Sequence, residues 1–186
     1  MKKLSSKSKK ILAACILVFL AIVVTLVSTL AVQHANGPAK VVKTYFSSLN
    51  KRDFDDFCNC LMPEQQEPIR NRMEQLGGPQ AYFDQVLYDS FKTDELSSQF
   101  GTDIQFKVSD LKTEDQTIKD DMYNGIDLKG LKATAVSTVD CSVTTKGSSG
   151  EYTNRTRVIC LKISGKWYIY AMAEINDTPE TTTDVK

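Results

Sequence analysis

Leu131-Lys132-Ala133-Thr134-Ala135-Val136-Ser137-Thr138-Val139-Asp140-Cys141-Ser142-Val143-Thr144-Thr145 is the stretch on which the fold turns. Ala133, Ala135, Val139, Cys141 and Val143 alternate with Thr134, Thr138, Asp140 and Ser142. That is the two-residue period of a half-buried strand, and β-branched side chains are dense along it. A strand this long needs partners, and the chain supplies them directly downstream. Gly147-Ser148-Ser149-Gly150 carries turn chemistry, Tyr152 to Ile163 reads as a second strand, Ser164-Gly165-Lys166 turns again, and Trp167 to Ile175 reads as a third. An antiparallel meander is expected. Thr178 to Thr183 has nothing apolar to bury, so residues 177–186 are expected to form a disordered tail.

Upstream the period changes. Ile104, Phe106 and Val108 still alternate with Asp103, Gln105 and Lys107, and a short helix is expected from Thr113 to Asn124, with Ile118 and Met122 four apart and Gly125 as its C-terminal cap. Before Asp103 the apolar spacing is helical. Val41, Val42, Tyr45, Phe46 and Leu49 form one stripe after Gly37-Pro38, and Asp53 is placed to cap a helix whose Phe54, Phe57, Cys58 and Leu61 share a face. Pro63 ends that helix; Glu64 to Leu76 resumes, Gly77-Gly78-Pro79 punctuates, and Tyr82, Phe83, Val86, Leu87 and Phe91 mark a further amphipathic helix. The reading is an α+β domain, helices first and sheet second, over residues 38–176.

Residues 11–33 precede this domain, after a tail, 1–10, and before a short linker, 34–37. Ile11 to Val32 holds no charge and would make about 33 Å of helix, enough to span a bilayer. Lys2, Lys3, Lys7, Lys9 and Lys10 stand before it without an acidic residue, which orients the N-terminus to the cytoplasm. A cleavable signal fits less well: the apolar run is long, and Val32-Gln33-His34-Ala35-Asn36 lacks small residues at the spacing that cleavage needs. Leu12-Ala13-Ala14-Cys15 begins the apolar run instead of ending it, so Cys15 reads as an ordinary membrane-helix residue and not a lipid anchor. The expected localisation is the cell membrane, single-pass, with the C-terminal domain outside and the lipid bilayer as partner through residues 11–33. All 23 acidic residues follow this run while 5 of the 23 basic ones precede it, leaving the exported part acidic. No Lys/Arg stripe is available to displace phosphate counterions, so no nucleic-acid partner is expected.

Cys58, Cys60, Cys141 and Cys160 lie in the exported part, an even number in a compartment where disulfides persist. Cys58 shares its face with core residues and so does Cys141, which suggests a helix-to-sheet bridge. Cys58 and Cys60 diverge on their helix and should not pair. A hairpin bridge between Cys141 and Cys160 is the rival if the turn centres on Gly150-Glu151, whereas a turn on Ser148-Ser149 would separate them by four positions. Ordinary buried thiols are the third option.

Nucleophilic triads need an imidazole, and the single histidine, His34, sits beside the expected membrane span. Cys58-Asn59-Cys60 has one intervening residue where zinc sites use two to four, so neither a metal nor another cofactor is expected. Asp55-Asp56 and Asp120-Asp121 read as solvated pairs, and no catalytic residue is assigned.

The order of elements, the opening Val41-Val42-Lys43-Thr44-Tyr45-Phe46-Ser47-Ser48-Leu49-Asn50-Lys51-Arg52-Asp53-Phe54 and the closing Gly165-Lys166-Trp167-Tyr168-Ile169 resemble the nuclear transport factor 2-like superfamily over roughly Pro38 to Glu174. In particular they resemble uncharacterised membrane-anchored envelope proteins of Gram-positive bacteria. The resemblance implies a cone-shaped, cystatin-like curved sheet closed by helices. Such a cone would be lined by Tyr45, Tyr82, Phe106 and Trp167, which either bound a pocket for an apolar small molecule or simply fill the core. The superfamily's enzymes use pocket Asp, Tyr or His, and this sequence has no histidine in the domain. The expected function is therefore a membrane-anchored extracytoplasmic binding or interaction module, with an unknown protein or an apolar small molecule as partner. An assembly subunit of a secretion or conjugation machine is the first alternative and a small-molecule isomerase or hydratase the second.

Overall fold

The computed structural model describes residues 37–88, 94–119 and 121–175. The expected basic tail, the span at 11–33, His34 and the tail at 177–186 lie outside the described residues, as do Phe91 and Asp120. Among the described residues no helix is long and apolar enough to cross a membrane.

Among the described residues five α-helices precede the sheet. In α1 (Pro38–Lys51) proline occupies the first turn, where its missing N–H costs nothing, and Val42, Phe46 and Leu49 bury one stripe. The helix ends in a Schellman motif: Asp53 N donates to Ser48 O at 2.9 Å and Arg52 N to Leu49 O at 3.2 Å. Arg52 takes the left-handed position of that motif, at φ 55°. Asp53 then caps α2 (Phe54–Cys60), its side chain accepting from Asp56 N at 3.0 Å. One residue thus closes a helix and opens the next, the second role being the one expected from the sequence. Gln66 Nε2 donates to Leu61 O at 2.9 Å, fastening the break between α2 and α3 (Pro63–Gln75), a surface helix with no buried residue. Then come α4 (Pro79–Tyr82), a π-helical turn over Phe83–Tyr88, and α5 (Asp94–Phe100).

The sheet is four-stranded and antiparallel, in the order β1 (Gln105–Asp115), β4 (Ala133–Lys146), β5 (Glu151–Ile163), β6 (Lys166–Glu174). The helices pack against it: Val42, Phe46, Leu49, Phe54, Phe57 and Phe83 meet Val139, Cys141, Val143, Val158, Cys160 and Ile169 in one apolar cluster. Three ladders carry bulges, at Ser109/Lys112, Ala133/Ala135 and Ile159/Cys160. Each extra residue bends its strand and switches which side chains face the helices. Phe106 and Val108 pack on the helical cluster before the first bulge, and Leu111 does so after it. At the second, Ala133, expected on the inner face with Val139, packs instead with Val136, Leu161 and Ile163 in a separate cluster.

The helix expected from Thr113 to Asn124 does not form. Thr113, Glu114 and Asp115 continue β1 opposite Val139, Thr138 and Ser137, because β4 is long enough to pair with them and their backbone groups would otherwise be unsatisfied. Gly125 is no helix cap: with Asn124 it forms the two-residue turn of a small hairpin, β2 (Met122–Tyr123) and β3 (Ile126–Asp127), both turn residues at positive φ. Met62, Ile126, Leu128, Val136 and Leu161 bury themselves together in the second cluster.

The turn between β4 and β5 is held from outside. Ser148 N donates to Thr102 O at 2.8 Å and Ser149 N to Phe100 O at 3.0 Å, docking the turn on the end of α5. A Cβ on Gly147 would strike the Phe100 carbonyl oxygen, and one on Gly150 would come within 2.6 Å of Gln99 O. Close approach of backbone, not turn geometry alone, requires glycine there.

Candidate functional site

Where the end of α1 meets the π-turn, the end of α5 and the start of β1, a groove of about 630 Å³ opens. Its walls include Asn50, Arg52, Asp84, Tyr88, Ser97, Thr102, Asp103, Ile104 and Gln105. Asn50 ties two walls together: its amide donates to Phe106 O at 2.7 Å and accepts from Phe106 N at 2.7 Å, as a neighbouring strand would. Tyr88 donates its hydroxyl to Leu49 O at 2.8 Å. Its pKa is raised by burial, an effect that the adjacent Arg52 guanidinium partly offsets. Arg52 pairs with Asp84 at 3.1 Å and lies 5.2 Å from the centre of the Tyr88 ring. The far rim is fixed by Thr102 N, which donates to Ser148 Oγ at 2.9 Å. The groove is thus a mixture of hydrogen-bond donors, acceptors and small apolar surfaces on a braced frame.

The four aromatics singled out in the sequence lie elsewhere. Tyr45 stands 5.5 Å from Phe57 and Tyr82 stands 5.2 Å from Phe54, ring centre to ring centre. Phe106 is 6.1 Å from Phe46. Trp167 packs half-buried against the same cluster, with Lys162 Nζ 5.8 Å from its ring. All four belong to or pack against one apolar cluster, and the groove is walled by other residues.

The cysteines also converge on this cluster. Cys58, Cys60, Cys141 and Cys160 are free, buried thiols. Burial pushes Cys60 and Cys160 up to about 12, and nearby Cys141 and Cys60 add to the effect at Cys160. Tyr45 reaches about 12 for the same reason, with Tyr82 and Cys60 contributing. Cys58 Sγ donates to Gln66 O at 3.6 Å and Cys141 Sγ to Thr156 O at 3.7 Å. The β4–β5 turn centres on Ser148-Ser149, so Cys141 stands opposite Thr156 and Cys160 opposite Ser137, four positions apart. Non-reducing peptide mapping should accordingly recover no Cys141–Cys160 link. Finding one would mean that the register of this hairpin is wrong.

Among the described residues no group of three or more His, Cys, Asp or Glu is placed to hold a metal. The carboxylates with resolved shifts, Asp110 and Asp140, are both held below the usual range, by Ser109 and Ser142 hydrogen bonds and by Arg157 respectively. Arg157 grips Asp140 with two bonds of 2.7 Å across β4 and β5.

The groove is invisible to periodicity because it joins the ends of segments that are far apart in sequence. The one local signal was Arg52, an arginine where the end of a helix ordinarily takes glycine. No family model, curated protein or solved structure matches this chain.

Proposed function

We propose that this chain is a membrane-anchored extracytoplasmic binding module without catalytic activity, held by residues 11–33 and recognising its partner through the groove beside α1 and β1. The observation that carries the reading is the groove itself, of a size typical for ligand sites and lined by braced polar groups. Proton-transfer chemistry has less support: Asp110 and Asp140 are stabilised as anions, the opposite of what a general acid needs. The three groups raised to about 12 are core thiols and a core tyrosine that burial keeps protonated.

We further propose that the sheet curves into the cone of the nuclear transport factor 2-like superfamily. The succession of helices and then a meander supports this, as do bulges in all three ladders of the sheet. A role as an assembly subunit is the second reading, favoured by Tyr170 and Met172, which stand exposed on the edge strand β6.

Protease added to intact spheroplasts tests the anchoring. Peptides containing Tyr152 should be digested while the N-terminal tail is spared. Protection of the domain would defeat the orientation, and a mature chain beginning near Val32 would defeat the anchor.

A further inference from the structure

We propose that the groove between Arg52, Asp84, Tyr88, Asp103, Ile104 and Gln105 binds a segment of neutral glycan. The inference deepens the binding-module reading and rests on it. The charged lining is Asp84 and Asp103 against Arg52, which is already paired with Asp84; an anion meets a net negative wall, and the comparison with a cation falls to the tetralysine arm of the test. An apolar ligand would strip water from these groups and give nothing back. A sugar satisfies both signs at once, because each hydroxyl donates and accepts. Its C–H faces find apolar surface at Ile104.

Arg52 is the residue that makes the site specific. Its backbone sits at φ 55°, where glycine costs least and a side chain is tolerated only against strain. That side chain is held from two sides, by Asp84 at 3.1 Å and by the Tyr88 ring at 5.2 Å. The guanidinium is planar with five N–H donors, more than one carboxylate oxygen and a ring face can engage, and Arg52 is among the walls of the groove. Asp84 accepts from Arg52 at one oxygen and from Gln80 Nε2, at 3.0 Å, at the other, and each carboxylate oxygen has a second lone pair for a ligand hydroxyl. A fixed donor fork next to a carboxylate matches two neighbouring hydroxyls on one sugar ring.

Because Arg52→Gly suits the backbone, the variant removes the recognition group while leaving the helix end intact. Full-length protein in detergent micelles would be examined by saturation-transfer NMR with an N-acetylglucosamine tetrasaccharide and with maltotetraose. Acetate and tetralysine serve as charged comparisons. At least one sugar should bind, with affinity about tenfold weaker in Arg52→Gly, which corresponds to the loss of one good polar contact. Arg52→Lys should also weaken it, since a point charge cannot replace the fork. The urea midpoint of Arg52→Gly should not fall, which separates lost recognition from lost folding. Absence of sugar binding at millimolar concentrations, binding indifferent to Arg52→Gly, or preference for acetate or tetralysine would overturn the glycan assignment. Spheroplast proteolysis reads the anchored-module proposal independently, so failure of one is distinguishable from failure of the other.

Discussion

Raising the pH from about 9 toward 12 should unfold the domain cooperatively, although its stability should be flat across neutral pH. Cys60 and Cys160 ionise near 9 when unfolded but only at about 12 in the core, and Tyr45 moves from 10 to about 12. Above a group's ordinary value the unfolded chain has released the proton that the folded chain still holds. The unfolded state then binds fewer protons, and stability falls as pH rises until the folded value is passed. Below about 9 the effect vanishes. Three units at one thiol correspond to about 4 kcal/mol, and a domain has about 5–15 kcal/mol in all. The three groups influence one another, so their effects do not simply add, but one of them alone is a large part of that margin. Circular dichroism and ultraviolet thiolate absorbance should change together. Thiolates appearing near pH 9 in a domain that stays folded would show that the core is wet. A Cys60→Ala/Cys160→Ala variant should keep its fold to higher pH relative to its own neutral stability.

Phe57→Ala should cost about 3–5 kcal/mol and leave little folded protein at physiological temperature. Phe57 is 4% exposed and has Tyr45, Phe54, Tyr82 and Phe83 around it at ring-centre distances between 5.5 and 6.3 Å. Its removal leaves a cavity walled by rings that are braced by one another, so the site cannot collapse to fill it. Phe57→Leu retains most of the volume and should cost less than half as much. Trp167→Ala should also cost less than Phe57→Ala, because Trp167 is only half-buried. Urea titration of the three variants gives the order directly. Equal losses for Phe57→Ala and Phe57→Leu would mean that shape, not volume, dominates this core.

The parts of the fold that follow one period were legible in advance. Val42, Phe46 and Leu49 in α1, Asp53 as a cap, and the pairing of the two strands on either side of Gly147-Gly150 all follow from local chemistry, whereas the centre of that turn, Ser148-Ser149, does not. The misreadings fall where tertiary pairing overrides that period. Thr113 to Asp115 became strand because β4 was waiting for a partner. Ala133 changed faces because an extra residue at the bulge reset the alternation. Asn124-Gly125 was a recognisable hairpin signal that the wider helical spacing of Ile118 and Met122 obscured. The groove required knowing that residues near 50, 84 and 104 meet, and no spacing rule encodes that. Tyr45, Tyr82, Phe106 and Trp167 come from two helices and two strands and meet at one apolar cluster, and aromatic side chains describe a pocket lining and a packed core equally well.

The junction at Arg52-Asp53 also governs where the chain tolerates added length. Ser48, Leu49, Arg52, Asp53 and Asp56 there share bonds of 2.9–3.2 Å among them, and no residue lies between the end of one motif and the start of the next. A single inserted residue would separate the closing of α1 from the opening of α2 and move Arg52 away from Asp84. Gly77-Gly78 closes α3 with the same pair of bonds, Gly78 N to Met73 O and Gly77 N to Glu74 O, both 3.0 Å, at φ of 91° and 120° and with open space where a side chain would stand. Length added between those glycines would open this closure too, but there the loss falls on the end of a surface helix with no buried residue, and neither glycine is among the walls of the groove.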